Sequence, residues 1–109
     1  MIDNALTQVP AAGLSKGNQP AGGLTAKETA RLLKALAHPT RLNILRLIEA
    51  HQPCVKMIEK TLGLSQPNIS QHLSLLRNLN IVEAERIGNQ VCYRITNPTV
   101  LKVMHVLSN

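Results

Sequence analysis

Residues 62–73 read LGLSQPNISQHL, and the end of one helix and the start of another are written into them. Gly63 can take the left-handed backbone conformation with which helices commonly close. Two residues later Ser65 offers the hydroxyl of a helix N-cap, and Pro67 falls in the first turn, where its missing N–H costs nothing. Ile69, Leu73 and Leu76 then recur at i, i+4 and i+7, the spacing of one buried helix face. A glycine-closed helix followed within a few residues by a freshly capped one makes a helix-turn-helix.

Upstream, Val55, Ile58 and Leu62 predict a short helix over 55–62. Thr25-Ala26-Lys27-Glu28 has the Ser/Thr-x-x-Glu form of a capping box. It predicts a first helix running to about His38, with Ala30, Leu33, Ala37, Leu32 and Leu36 as a broad apolar stripe. Pro39 interrupts it, and a second helix from Thr40-Arg41 carries Leu42, Leu45 and Ile48 before Gln52-Pro53 ends it.

Downstream, Ile81–Ile87 and Gln90–Ile95 alternate as strands around Gly88-Asn89, a pair suited to a tight hairpin turn. Val91, Tyr93 and Ile95 share one face and leave Cys92 and Arg94 on the other. Asn97-Pro98 opens a last helix with Val100, Val103 and Leu107 on one stripe and Leu101 and Met104 beside it. The predicted fold is mainly α with a small β-hairpin, in the order α-α-α-α-β-β-α.

The chain has 109 residues, enough for one domain with a modest core and too few for a multidomain enzyme. Residues 1–24 hold four of the six glycines and two of the six prolines and keep no helical or strand spacing, so they read as a flexible tail. Asp3 and Lys16 cancel there, and the formal charge of +6 falls wholly on residues 25–109. A basic domain calls for a polyanionic partner. Tyr93 is the only aromatic residue, which argues against recognition of single strands by stacking. Two cysteines are too few for a secreted disulfide scaffold, no leader-like apolar segment opens the chain, and no run approaches a membrane span; the expectation is a cytoplasmic protein that does not engage the membrane.

From Lys60 to Val82 no acidic residue occurs. On the fourth helix Pro67, Asn68, Ser70, Gln71, Ser74 and Asn78 lie away from the Ile69/Leu73/Leu76 stripe. That face is polar, uncharged and small. Asn and Gln amides can bond adenine N6 and N7 bidentately, and Ser can donate or accept at several bases. A merely solvated helix usually carries Glu and Lys pairs instead. The hairpin adds Arg86, Asn89, Gln90 and Arg94, which can reach phosphates or a minor groove and position the protein without specifying sequence.

The runs LKALAHPTRLNIL (33–45), LGLSQPNISQHL (62–73) and VCYRI (91–95) resemble the ArsR/SmtB family of winged-helix repressors, over about residues 25–109. The resemblance implies a winged helix-turn-helix that pairs as a homodimer through its first and last helices. It also implies binding to an inverted repeat in double-stranded DNA and release by an effector. Ser65–His72 become the start of the recognition helix. The DNA-contact candidates are Ser65, Gln66, Asn68, Ser70, Gln71, His72, Arg86, Asn89 and Gln90.

Metal-sensing members of that family use a Cys-x-Cys box with a following Asp at the third helix. This chain has Cys54, then Lys56 and Met57 at those positions; Asn97 and Thr99 stand where a second family site has Asp and His. No metal site and no cofactor are expected. The remaining chemistry is the pair Cys54 and Cys92. In a winged helix the segment before the third helix runs beside the second wing strand, so the two thiols are candidates for a redox or persulfide switch. His38 reads as a cap for helix-end carbonyls, His51 as a turn residue and His72 as flanking the core edge of the recognition helix.

An enzyme fails on inventory: no paired carboxylates, no glycine-rich phosphate loop and no Cys/His pair at a recognisable spacing. A repressor of the same fold answering to a metal or metabolite, and a winged-helix module that binds protein instead of DNA, are the other readings.

Overall fold

The computed structural model describes residues 23–108. The elements are α1 (Ala26–Leu36), α2 (Pro39–His51), α3 (Val55–Leu62), α4 (Gln66–Asn78), β1 (Val82–Ile87), β2 (Gln90–Ile95) and α5 (Pro98–Ser108). This is the predicted order, five helices and a hairpin. Of the tail expected over 1–24, residues 1–22 lie outside the described residues.

The described residues up to Leu33 belong to one unit and those from Lys34 onward to a second. In the first, the capping box forms as written: the Thr25 amide donates to Glu28 Oε1 (2.9 Å) and the Glu28 amide to Thr25 Oγ1 (3.0 Å). Helix α1 stops at Leu36, two residues short of the predicted end. Pro39 is the cause, since its ring disfavours helical geometry in the residue before it. His38 is accordingly extended (φ −147°, ψ 116°) and serves as N-cap of α2, its Nδ1 accepting from the Thr40 amide at 3.2 Å. The predicted cap on carbonyls is thus corrected to a cap on an amide of the next helix.

In the second unit the core holds Ile44, Leu45 and Ile48 of α2, Ile58 of α3, Ile69, Leu73 and Leu76 of α4, Ile81, Val82 and Tyr93 of the hairpin, and Val100 and Met104 of α5. On α2 the second core position is Ile44, and Leu42 is only half-buried. Gln52 ends α2 in the left-handed region (φ 46°, ψ 57°) and Gly63 ends α3 there (φ 65°, ψ 32°). Glycine has no Cβ to strain at such a position.

The strands pair antiparallel from Val82↔Ile95 to Ile87↔Gln90, with Gly88 at the turn in the left-handed region (φ 65°). β1 packs on α4, and β2 on α2, α3 and α5, so the hairpin's root is held in the core and its tip projects. Asn97 caps α5 through Oδ1, which accepts from the amides of Thr99 (2.9 Å) and Val100 (3.2 Å).

The apolar stripes of the two outer helices divide differently from the expectation. On α1, Leu32, Ala35 and Leu36 are buried while Leu33 is 52% exposed; on α5, Val100 and Met104 are buried while Val106 and Leu107 are 72% and 64% exposed. Both helices are apolar over more than one stripe, and only part of that apolar surface is buried within the chain.

Ile58 is the one fully buried side chain of the eight-residue α3. Ile58→Ala should lower the unfolding free energy by about 2–5 kcal/mol. Urea unfolding reads this as a lower midpoint at unchanged slope.

Candidate nucleic-acid interface

Helix α4 enters through Ser65, whose backbone is extended (φ −72°, ψ 154°) and whose Oγ accepts from the Asn68 amide at 3.4 Å. Burying Ile69, Leu73 and Leu76, none more than 2% exposed, leaves its roll with one broad solution. Ser65, Gln66, Asn68, Ser70, Gln71, Ser74 and Asn78 are all exposed on the remaining face, as the helical spacing predicts. No carboxylate lies on α4 or on the turn before it.

The hairpin presents Arg86, Asn89 and Gln90 exposed at and near its tip. Arg94 behaves differently: its Nη2 donates to Glu83 Oε1 at 3.3 Å across the β1/β2 pair, so its charge is partly spent within the wing. Such an exposed pair adds little stability, typically about 0–1 kcal/mol. Arg86 has no carboxylate partner among the described residues.

His72 stands apart from the other candidates on α4. It is half-buried: its Nδ1 accepts from Arg41 Nε (3.3 Å) and its ring meets that of His38 edge-on, centroids 4.9 Å apart. Burial, then the charges of His38 and Arg41, hold its pKa below the ordinary histidine value. Arg41 was not among the sequence candidates, and nothing local could have singled it out, since its partner lies 31 residues away.

A bacterial regulatory protein model of the arsR family matches residues 38–84, from the cap of α2 into β1. The biofilm growth-associated repressor of Xylella fastidiosa is 37% identical over 82 residues, covering 75% of this chain and 72% of that protein. Among solved structures, HlyU from Vibrio cholerae superposes with a TM-score of 0.72 at 30% identity, covering 75% of this chain and 89% of that one. The repressor BigR from Xylella fastidiosa gives 0.70 at 36% identity, over 75% and 84% of the two chains.

The chain belongs to the ArsR family. It is therefore a winged-helix transcriptional regulator and not an enzyme, with α4 as the second helix of its helix-turn-helix and the β1/β2 hairpin as its wing.

Cys54, the N-cap of α3, and Cys92, in β2, face one another in an isolated antiparallel bridge. The Tyr93 amide donates to the Pro53 carbonyl at 3.0 Å, so the residues flanking the cysteines carry the bond and the cysteines form the non-hydrogen-bonded pair. In such pairs Cα atoms stand about 4.5 Å apart and side chains lie closest. That is inside the range of about 4.4–6.8 Å that a disulfide spans. Both thiols are free and half-buried. Cys54 also lines a cleft of about 540 Å³ whose other walls include Lys56, Glu59, Gln66, Asn89 and Gln90. Among the described residues no three His, Cys, Asp or Glu side chains are grouped closely enough to hold a metal ion. No described helix is long and apolar enough to cross a membrane.

The lowered pKa of His72 has a definite sign. Above about pH 6.5, the ordinary histidine value, folded and unfolded chains both hold it neutral. As pH falls below that, the unfolded chain takes up the proton first, so stability declines until the native pKa is passed. His72→Gln should flatten this acid limb in urea titrations run at a series of pH values.

Proposed function

We propose that the protein is a homodimeric, sequence-specific repressor that reads an inverted repeat with α4 and is released when Cys54 and Cys92 are oxidised to an intrachain disulfide. The observation that carries the DNA-reading part is the exposed face of α4. It is amide- and hydroxyl-rich and free of acid, and it is backed by a fully buried seam. Asn68, Ser70 and Gln71 contact base edges, Ser65 and Gln66 lie at the helix start, and Arg86, Asn89 and Gln90 on the wing engage the backbone. Support for pairing comes from Leu33 on α1 and Val106 and Leu107 on α5, large apolar side chains that the protomer leaves in water. A two-fold axis that covers them sets two recognition helices about 34 Å apart, one turn of duplex.

The thiol part of the reading is supported by the Cys54/Cys92 bridge. The oxidant class is a low-molecular-weight disulfide. One cysteine thiolate attacks it, forming a mixed disulfide and expelling one small thiolate. The second cysteine then displaces the other, so that two protein thiols become one S–S bond and two small thiols are released. The bond pins the wing strand to the start of α3, beside the cleft that Gln66 shares with Asn89 and Gln90. The wing then loses the freedom to settle against the duplex.

The test begins with duplexes selected from a random-sequence pool by the reduced protein, followed by anisotropy titrations. Gln71→Ala or Asn68→Ala should cost about 1–3 kcal/mol on the selected duplex and little on a scrambled one, whereas Arg86→Ala should weaken both alike. Equal losses on both duplexes for Gln71→Ala would contradict the assignment of α4.

Treatment with glutathione disulfide should remove two hydrogens per chain by mass and lower affinity for the selected duplex. Cys54→Ser and Cys92→Ser should abolish both effects. An unchanged response in the two variants would eliminate the switch.

A further inference from the structure

One guanidinium joins the last turn of α1 to the middle of α4. Arg41, in the first turn of α2, donates from Nη1 to the Ala35 carbonyl at 2.9 Å and from Nε to His72 Nδ1 at 3.3 Å. Ala35 is the next-to-last residue of α1, where carbonyls lack helical partners, so the first bond satisfies an acceptor that would otherwise be orphaned. The second reaches α4 at the residue between exposed Gln71 and buried Leu73. His38 closes the group: its Nδ1 is engaged by the Thr40 amide and its ring abuts His72.

We propose that Arg41 and His72 are positioning residues for DNA recognition: the guanidinium, anchored on the Ala35 carbonyl, uses the unprotonated Nδ1 of His72 to fix the roll of α4, on which the aim of Asn68, Ser70 and Gln71 depends. This rests on the reading of α4 as the base-reading helix. Apolar packing is non-directional, and the Ile69/Leu73/Leu76 seam holds α4 down without fixing its rotation finely. At a helix radius of about 5–6 Å, a roll of about 20° moves an outward side chain by about 2 Å. Bidentate amide contacts do not survive that displacement, because hydrogen bonds tolerate only a few tenths of an ångström. A bond from Arg41 is directional and sits one residue from Gln71.

The arrangement also carries a proton dependence. Arg41 cannot give up its proton, so Nδ1 of His72 must act as acceptor and the ring must be neutral. Arg41 and His38 are the charged or titratable groups that act on it, and neither is an acid that would stabilise the imidazolium. Protonation puts an N–H on Nδ1 against the Arg41 donor, and the tie opens. Arg41 is thereby distinguished from a phosphate contact, the role that a basic residue on a DNA-binding domain would otherwise suggest.

The test uses the full-length reduced protein, with anisotropy on a pool-selected and a scrambled duplex over a range of salt and from pH ~8 down to pH ~4.5, carried below the ordinary histidine window because the His72 pKa is lowered. Arg41→Gln and Arg41→Lys should each lower the selected-over-scrambled affinity ratio about tenfold and leave the salt slope unchanged. Lysine fails because a single ammonium cannot reproduce the two-pronged fork. Equal weakening on both duplexes in Arg41→Gln, with the salt slope reduced by about one and Arg41→Lys behaving as wild type, would make Arg41 a phosphate contact and overturn the proposal.

His72→Gln keeps an acceptor that does not titrate. It should retain the ratio at neutral pH and hold it on acidification, where the wild type loses it. Coincident pH profiles would overturn the role of His72, and the retained neutral-pH binding of this variant shows that it folds. Failure of the wild type to select any duplex overturns the base-reading role of α4 and this proposal with it; selection by the wild type without a ratio loss in the Arg41 variants overturns the proposal alone.

Discussion

Everything presented to the outside by this domain depends on burying the Ile69/Leu73/Leu76 seam of α4. A helix with three core residues at i, i+4 and i+7 has one stripe to hide, and hiding it commits the opposite side to solvent. Here that side carries the amides and hydroxyls of Asn68, Ser70, Gln71, Ser74 and Asn78, with Pro67, Leu75 and Arg77 exposed beside them. The seam is therefore both a stability element and the device that orients the chemistry. Its short length matters too, because three side chains anchor a helix firmly in depth and loosely in rotation. Polar ties at its edge can then influence function out of proportion to the energy they contribute.

Pro39 governs the second organising point. By forcing His38 out of helical geometry it ends α1 and creates the cap for α2. The ended helix is left with unpartnered carbonyls, and Arg41, two residues after the proline, satisfies one of them. The same side chain reaches α4. A single steric restriction on the backbone thus brings together a cap, a guanidinium and a half-buried imidazole, three features that look unrelated along the chain.

Most of the fold was legible because its signals are local. The capping box spans four residues, Ser65 acts on Asn68 three residues on, and Gly63 and Gly88 sit where the chain must take positive φ. The outward face of α4 followed from spacing alone. The placement of Cys54 beside Cys92 was anticipated from the general course of a winged helix, and its register came only from the backbone bond between Tyr93 and Pro53. What sequence could not supply was long-range choice. On α1 and α5, several apolar stripes compete for one buried place, and periodicity cannot say that Leu33 and Leu107 lose it. Arg94 looked available until the strand register set it opposite Glu83. The partnerships of Arg41 with His72, and of His105 with Glu49 between α5 and α2, join residues far apart in the chain and leave no trace in any window of it.

Besides the packing of β1 on α4, the wing and the start of α4 share a cleft lined by Gln66 on the helix and by Asn89 and Gln90 on the hairpin. Cys54 is part of its wall, and Cys92 lies across the bridge behind it. The cysteine pair thus lies beside that cleft, while α4 is tied to the end of α1 through Arg41 and His72. Under the proposed reading, a change in thiol state acts on the wing side of α4 and protonation of His72 acts on its other edge. Both points lie outside the Ile69/Leu73/Leu76 seam, so a change at either would leave the core of the domain intact.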